Sequence, residues 1–101
     1  MDLTGKAIVI TGAAQGLGQK MAENVAARGA NVALTDVDQA KLTETVHLCA
    51  RAGSNVRGYE CDVADEKAVV ALFDCAHRDL GRIDGVINNA GIISDALLVK
   101  V

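Results

Sequence analysis

The chain has 101 residues, half of them apolar, with a net charge of −3, one Tyr, one Phe and no Trp. This length fits one domain with a modest core. The lack of aromatic stacking platforms and of a basic block argues against a nucleic-acid partner, and no apolar run reaches the ~18 residues of a membrane span. The N-terminus shows no secretory signal, and the three cysteines, Cys49, Cys61 and Cys75, suit reduced thiols. We therefore expect a cytoplasmic protein with no membrane partner.

Strand-like and helix-like segments alternate along the chain. Short apolar runs predict strands, and segments with apolar residues three and four positions apart predict helices, each followed by a glycine. In chain order the predicted elements are strand 6–11, helix 16–28, strand 31–35, helix 39–52, strand 55–61, helix 66–80 and strand 85–88. Short connections between alternating elements predict an α/β fold: a Rossmann-like, doubly wound parallel sheet in three αβα layers, incomplete, with strand order 3-2-1-4.

Two residue pairs have the composition of a metal site but not its spacing. His47 and Cys49 lie two positions apart in one predicted helix, and Cys75 and His77 do so in another. Side chains two apart on a helix point to roughly opposite sides, so neither pair can hold one ion. We therefore predict no metal site.

The segment between the first strand and the first helix, 11–18, has glycines spaced G-x-x-x-G-x-G. Glycine lets the backbone approach a diphosphate closely, and the N–H groups of the first helical turn then point at the anion. The spacing matches neither the G-x-G-x-x-G fingerprint nor a P-loop. On this segment alone, a strand-to-helix turn without a ligand stays an alternative.

Polar or glycine residues follow every predicted strand at its carboxyl end, where doubly wound sheets bind their ligands. Asp36 follows the second strand, at nearly the spacing of a ribose-binding acid. Asp62 and Val63 follow the third strand, and residues 88–91 follow the fourth. Three alternatives remain open: Asp36 could cap the second helix, Asp62 could cap the third (where Asp65 is an equal or better cap), and the asparagines could form a plain turn.

Together these motifs resemble the N-terminal part of a short-chain dehydrogenase/reductase. The matching residues are the glycine turn, Asp36, Asp62-Val63, Asn88-Asn89-Ala90-Gly91 and the opening Leu3-Thr4-Gly5-Lys6. The resemblance covers essentially the whole chain. The resemblance implies that 1–101 is the N-terminal part of a single Rossmann-type NAD-binding domain without its catalytic half. The family's catalytic Ser, Asn, Tyr and Lys would follow Val101, so we expect no catalytic residue in this chain and no activity from it alone. Tyr59 lacks a Lys four residues on and is interpreted as structural.

The resemblance also implies roles in cofactor binding. The glycine turn approaches the pyrophosphate and adjoining riboses, and Asp36 accepts hydrogen bonds from the adenine ribose. Asp62 with Val63 holds the adenine amino group, residues 89–91 line the path to the nicotinamide ribose, and Asn88 braces the central strands. The cofactor-binding residues implied are Gly12, Gln15, Gly16, Leu17, Gly18, Asp36, Asp62, Val63, Asn89, Ala90 and Gly91.

The cofactor expected is NAD, with NADP disfavoured by Asp36. A 2′-phosphate about 4 Å from that carboxylate would cost roughly 4 kcal/mol at an effective dielectric constant near 20. Val37 offers no compensating base, and Gln15 stands where NADP-preferring relatives often carry Arg or Lys.

The function implied is hydride transfer between an alcohol or carbonyl and a nicotinamide cofactor. The segment 95–100 resembles 3-oxoacyl-carrier-protein reductases at that position, so the substrate implied is a small molecule or an acyl-carrier-bound carbonyl compound. The resemblance to the family as a whole implies a homo-oligomer for the complete protein. The alternative is a non-catalytic NAD-binding module. A flavodoxin-like or receiver-like domain would leave Asp62 and Asn89 unexplained.

Overall fold

The structure is a computed structural model that describes residues 2–89. Within them, parallel strands and helices alternate as β1 (Ala7–Thr11), α1 (Gly16–Ala27), β2 (Asn31–Asp36), α2 (Gln39–Arg51), β3 (Val56–Glu60), α3 (Glu66–Leu80) and β4 (Gly85–Asn88). The sheet order is β3-β2-β1-β4, which confirms the predicted order. Every predicted element is present, and no end differs by more than one residue.

The sheet separates two apolar layers because side chains alternate between its faces along each strand. Ile10 of β1 and its register partner Leu34 of β2 pack on the face covered by α1 and α2. Val9 and Ala33 point to the opposite face, which is covered by α3. The three layers of the α/β prediction are therefore confirmed, and β1 lies at the centre of the sheet.

Local signals explain where the helices begin and end. The carboxylate of Asp38 caps α2 by accepting the Lys41 N–H, and Asp65 caps α3 in the same way. After α1, Gly29 adopts a left-handed φ of 97°, which a residue with a Cβ adopts at a cost. The helix ends at Ala27, one residue before the predicted end at Arg28.

The turn between α3 and β4 is attached to the start of β1 by Asp84. Its Oδ2 accepts the Ala7 N–H at 2.8 Å, and its Oδ1 accepts from Arg82 Nη2 at 2.7 Å. The hydrogen bond from Arg82, followed by that from Ala7, lowers the pKa of Asp84 below its ordinary value. This carboxylate helps to set the entry of β4 beside β1.

In the part of the chain from 2 to 89, no helix has both the length and the apolar character needed to cross a membrane.

Candidate functional site

A cleft of about 470 Å³ lies at the carboxyl ends of the strands. Seven residues predicted from the sequence line it: Gly12, Gln15, Gly16, Asp36, Asp62, Val63 and Asn89. Thr35, Val37 and Cys61 also line it, and the predicted set had not included them. Ala90 and Gly91 lie outside the described residues. The parallel fold thus brings together residues that are up to 77 positions apart.

The turn from β1 into α1 has the backbone that its glycines allow. Gly12 and Gly16 adopt φ values of 63° and 60°, in the left-handed region that glycine enters without steric penalty. Gly18 is buried, and a Cβ at this position would lie 1.9 Å from the Gly12 carbonyl oxygen. Gly18 therefore allows close packing of α1 on the turn and does not itself line the cleft. Leu17 also lies outside the lining and is 66% exposed.

Helix α1 begins beside the cleft. Among the described residues no side chain caps it, and its N-cap Gln15 has an extended backbone. The N–H groups of a first helical turn have no acceptor within their own helix. The positive end of the helix dipole and these donors therefore face the cleft side of the glycine turn.

Asp36 connects the end of β2 to the glycine turn. Its Oδ2 accepts the Ala14 N–H at 3.1 Å, and its Oδ1 accepts the Asp38 N–H at 3.1 Å. The alternative that Asp36 caps α2 is wrong, because Asp38 makes that cap. These two hydrogen bonds hold Asp36 in place. Because a carboxylate oxygen can accept more than one hydrogen bond, Asp36 still has acceptor capacity toward the cleft.

Asp62 is exposed at the end of β3. Its Oδ1 accepts the Ala64 N–H at 2.9 Å, which closes a local turn. Asp65 caps α3, so the alternative that Asp62 is the cap is also wrong. Val63 is half-buried and packs against the core beneath α3, while another part of it lines the cleft.

Asn88, the last residue of β4, and Asn89, which follows it, make different contacts. Asn88 Oδ1 accepts from Thr11 Oγ1 at 2.8 Å, which joins β4 to β1 as expected of a brace. The Asn89 backbone N–H donates to the same hydroxyl at 3.0 Å, and its Nδ2 donates to the Gly12 carbonyl at 3.3 Å. The plain-turn alternative does not explain this contact with the glycine turn.

The lysine Lys41 contacts Gln15, one of the residues that line the cleft, and the sequence had not indicated this contact. Lys41 Nζ, from the first turn of α2, donates to Gln15 Oε1 at 2.7 Å. Both residues are exposed. The only signal in the sequence was a lysine five positions after Asp36, and a helix–helix contact was needed to bring it to Gln15.

Tyr59 points away from this cleft. Its hydroxyl donates to Asp79 Oδ2 on α3. Burial, followed by this hydrogen bond, raises the pKa of Tyr59 above its ordinary value. Through this contact Tyr59 joins β3 to α3, in agreement with a structural role.

Cys61 forms part of the cleft surface and is only 7% exposed. Burial is the main cause that raises the pKa of its thiol, so the group is neutral near pH 7. Between residues 2 and 89 no three His, Cys, Asp or Glu side chains are grouped to hold a metal. In the His47 and Cys49 pair, Cys49 is buried while His47 is exposed.

The strand order and the polar strand ends define an α/β protein of the doubly wound, Rossmann-like class. The chain belongs to the short-chain dehydrogenase family, whose sequence profile, described as "short chain dehydrogenase", matches residues 6–100.

Relatives in sequence and in structure agree with this family. The short-chain reductase protein NovJ of Streptomyces niveus is 41% identical over 93 residues, which are 92% of this chain and 36% of NovJ. The 3beta-hydroxysteroid dehydrogenase 1 of Eggerthella lenta is 40% identical over 92 residues, 90% of this chain and 35% of the relative. A crystal structure of NAD+-bound xylitol dehydrogenase superposes with a TM-score of 0.87 at 35% identity, covering 91% of this chain and 35% of that chain. The chain thus spans about a third of the length of these relatives.

Proposed function

We propose that this chain binds NAD as the cofactor-binding part of an oxidoreductase of the short-chain dehydrogenase/reductase type. In this proposal, 1–101 is the N-terminal part of one Rossmann-type domain. The observation that carries it is the single cleft that unites the glycine turn with Asp36, Asp62 and Asn89.

The residues present fit a dinucleotide. A volume of about 470 Å³ is in the range of cofactor and ligand clefts. The close approach at Gly18 leaves no room for a side chain and lets the first turn of α1 lie against the glycine turn. A diphosphate would be held there by backbone N–H groups, without any basic side chain. The NAD+ in the similar xylitol dehydrogenase structure supports this choice of ligand.

Each end of the cleft has its own role in the proposal. Asp36 accepts hydrogen bonds from the adenine ribose hydroxyls, and Asp62 with Val63 receives the adenine. Asn89, followed by Ala90 and Gly91, leads toward the nicotinamide ribose. When bound, NAD supplies the position that accepts or donates hydride. The residues of this chain bind and orient the cofactor.

Proton transfer to or from a substrate belongs to residues other than Tyr59, whose hydroxyl is engaged by Asp79 and whose raised pKa makes it a poor acid. For the whole protein we propose reversible alcohol/carbonyl hydride transfer. Its substrate would be a small molecule or an acyl-carrier-bound carbonyl compound, and its assembly a homo-oligomer.

NAD is proposed over NADP because Asp36 is oriented at the cleft wall by two backbone N–H groups. A 2′-phosphate would meet this carboxylate directly. Lys41 offsets part of the repulsion, but its amine is exposed and shared with Gln15, so solvent screens it. The carboxylate is therefore expected to dominate the preference.

The test is the ratio of the NAD and NADP dissociation constants, measured by titration calorimetry. We expect the chain to bind NAD at least tenfold more tightly, a discrimination of about 1.4 kcal/mol or more. Asp36→Asn should reduce this ratio. Asp38→Asn is the matched control: it removes a neighbouring charge, and asparagine caps a helix as well as aspartate does. Equal affinities, or tighter NADP, would refute the NAD proposal. A turnover assay of the whole protein then separates an enzyme from the alternative NAD-binding module, which binds without turnover.

A further inference from the structure

Thr45 is a polar residue in the buried row of α2. It lies between Leu42 and Cys49 on the face that packs against the core, and it is 0% exposed. A buried hydroxyl is costly unless it is hydrogen-bonded. A helical Thr commonly satisfies its hydroxyl on the carbonyl four residues earlier, as Thr43 does with the Gln39 carbonyl at 3.0 Å.

The partners of Thr45 instead lie in the glycine turn. Its Oγ1 donates to the Ala13 carbonyl at 2.8 Å, 32 positions away, and lies 3.4 Å from the Ala14 carbonyl. Gln19, on the first turns of α1, donates from Nε2 to Thr45 Oγ1 at 3.0 Å. A single hydroxyl therefore connects α2, the turn and α1.

The same two turn residues are held from the other side by β2. The Ala13 N–H donates to the Thr35 carbonyl at 3.1 Å, and the Ala14 N–H donates to Asp36 Oδ2 at 3.1 Å. Their N–H groups thus face β2 and their carbonyls face Thr45. Hydrogen bonds on both sides of these two residues hold the turn in one arrangement.

We propose that Thr45 is a positioning residue for the cofactor: its hydroxyl fixes the glycine turn in the arrangement that receives the diphosphate. This proposal rests on the NAD binding proposed above. Thr45 does not line the cleft, so it acts only through the turn. Without its hydroxyl, the buried Ala13 carbonyl loses its side-chain donor, and the turn shifts to find another. The adenine end of the cleft, at Asp62 and Val63, lies on other loops and keeps its shape.

The test uses Thr45→Val, which keeps the side-chain shape and removes the hydroxyl. NAD binding is measured by calorimetry, and binding of adenine, which has neither diphosphate nor ribose, is measured by NMR titration. We expect the NAD dissociation constant to rise about tenfold, the effect of a lost buried hydrogen bond, while the adenine dissociation constant changes less than twofold. Thr45→Ser, which keeps the hydroxyl, should restore NAD binding. Thr43→Val is the matched control, because it removes a hydroxyl from the exposed face of the same helix.

Several results would overturn the proposal. Unchanged NAD affinity in Thr45→Val would do so, as would equal losses of NAD and adenine affinity, which would indicate a merely structural role. If Thr45→Val does not fold, Thr45→Ala removes the same hydroxyl without placing a methyl group against the Ala13 carbonyl, and it should weaken NAD binding alone. Unchanged NAD affinity in Thr45→Ala would overturn the proposal as well. Failure of the unsubstituted chain to bind NAD would overturn the proposed function, and this inference with it. If the unsubstituted chain binds NAD and Thr45→Val binds it with the same affinity, only this inference is overturned.

Discussion

Replacing Gly18 by alanine tests the close packing beneath the cleft. Gly18 is the third residue of α1, where alanine would ordinarily stabilise the helix by about 0.5–1 kcal/mol. Here the added Cβ would lie 1.9 Å from the Gly12 carbonyl oxygen and 2.8 Å from Asn89 Nδ2. The first contact falls about 1 Å short of the closest approach that a Cβ makes, so backbone must move.

We therefore expect Gly18→Ala to lower the free energy of unfolding, whereas helix propensity alone predicts that it rises. Overpacking of this kind costs about 1–3 kcal/mol, so after the propensity gain we expect Gly18→Ala to lose about 1–2 kcal/mol of unfolding free energy. Because the displaced group is part of the turn, NAD affinity should fall at least tenfold. Urea unfolding measures the first quantity, and calorimetric titration with NAD measures the second.

Gly81→Ala is the matched control for this experiment. Gly81 follows α3 with a φ of 80° and open space around its Cβ position, so alanine there costs about 1–2 kcal/mol through backbone strain alone. We expect a comparable loss of stability with no change in NAD affinity. The reasoning is refuted if Gly18→Ala is as stable as the parent chain and binds NAD within twofold of it.

Three further predictions concern single side chains. Tyr59→Phe should lower the unfolding free energy by about 1 kcal/mol through loss of the hydrogen bond to Asp79, while the NAD affinity stays constant. Thermal unfolding and NAD titration measure these two quantities, and weakened NAD binding would contradict the prediction. The folded-state pKa of Asp84 lies below its ordinary value. Its contribution to stability is therefore present above that ordinary value and is lost as the pH falls through the lowered pKa. Asp84→Asn should thus flatten the dependence of stability on pH below about pH 4. The same pH dependence in the parent and the variant would count against this. Lys41→Met should weaken NADP binding up to about fivefold, the scale of an exposed charge interaction, and leave NAD binding unchanged. The control Lys20→Met, on α1, should alter neither affinity. Equal effects of the two substitutions would argue against a role for Lys41 at the cleft.

The sequence by itself determined the order, type and near-exact bounds of the elements in residues 2–89. Apolar periodicity and the glycines after the helices are local signals, and in an alternating chain right-handed crossovers leave few possible sheet orders. Most of the cleft followed as well, because parallel strands with polar carboxyl ends must bring those ends to one edge. Asp36, Asp62 and Asn89 were predicted on that ground.

Only the tertiary structure decided which side chains meet across distant segments. The distinction between Asp36 and Asp38 as the cap of α2 depends on backbone direction at the end of β2, and both residues suit a cap by type. Lys41 at Gln15, and Thr45 at the Ala13 carbonyl, depend on how α2 packs against the glycine turn. Periodicity shows that a helix has a buried face, but the partner of each buried group is set by the rotation and offset of the packed helices. For that reason the contacts that Lys41 and Thr45 make with the glycine turn had no signature in the sequence.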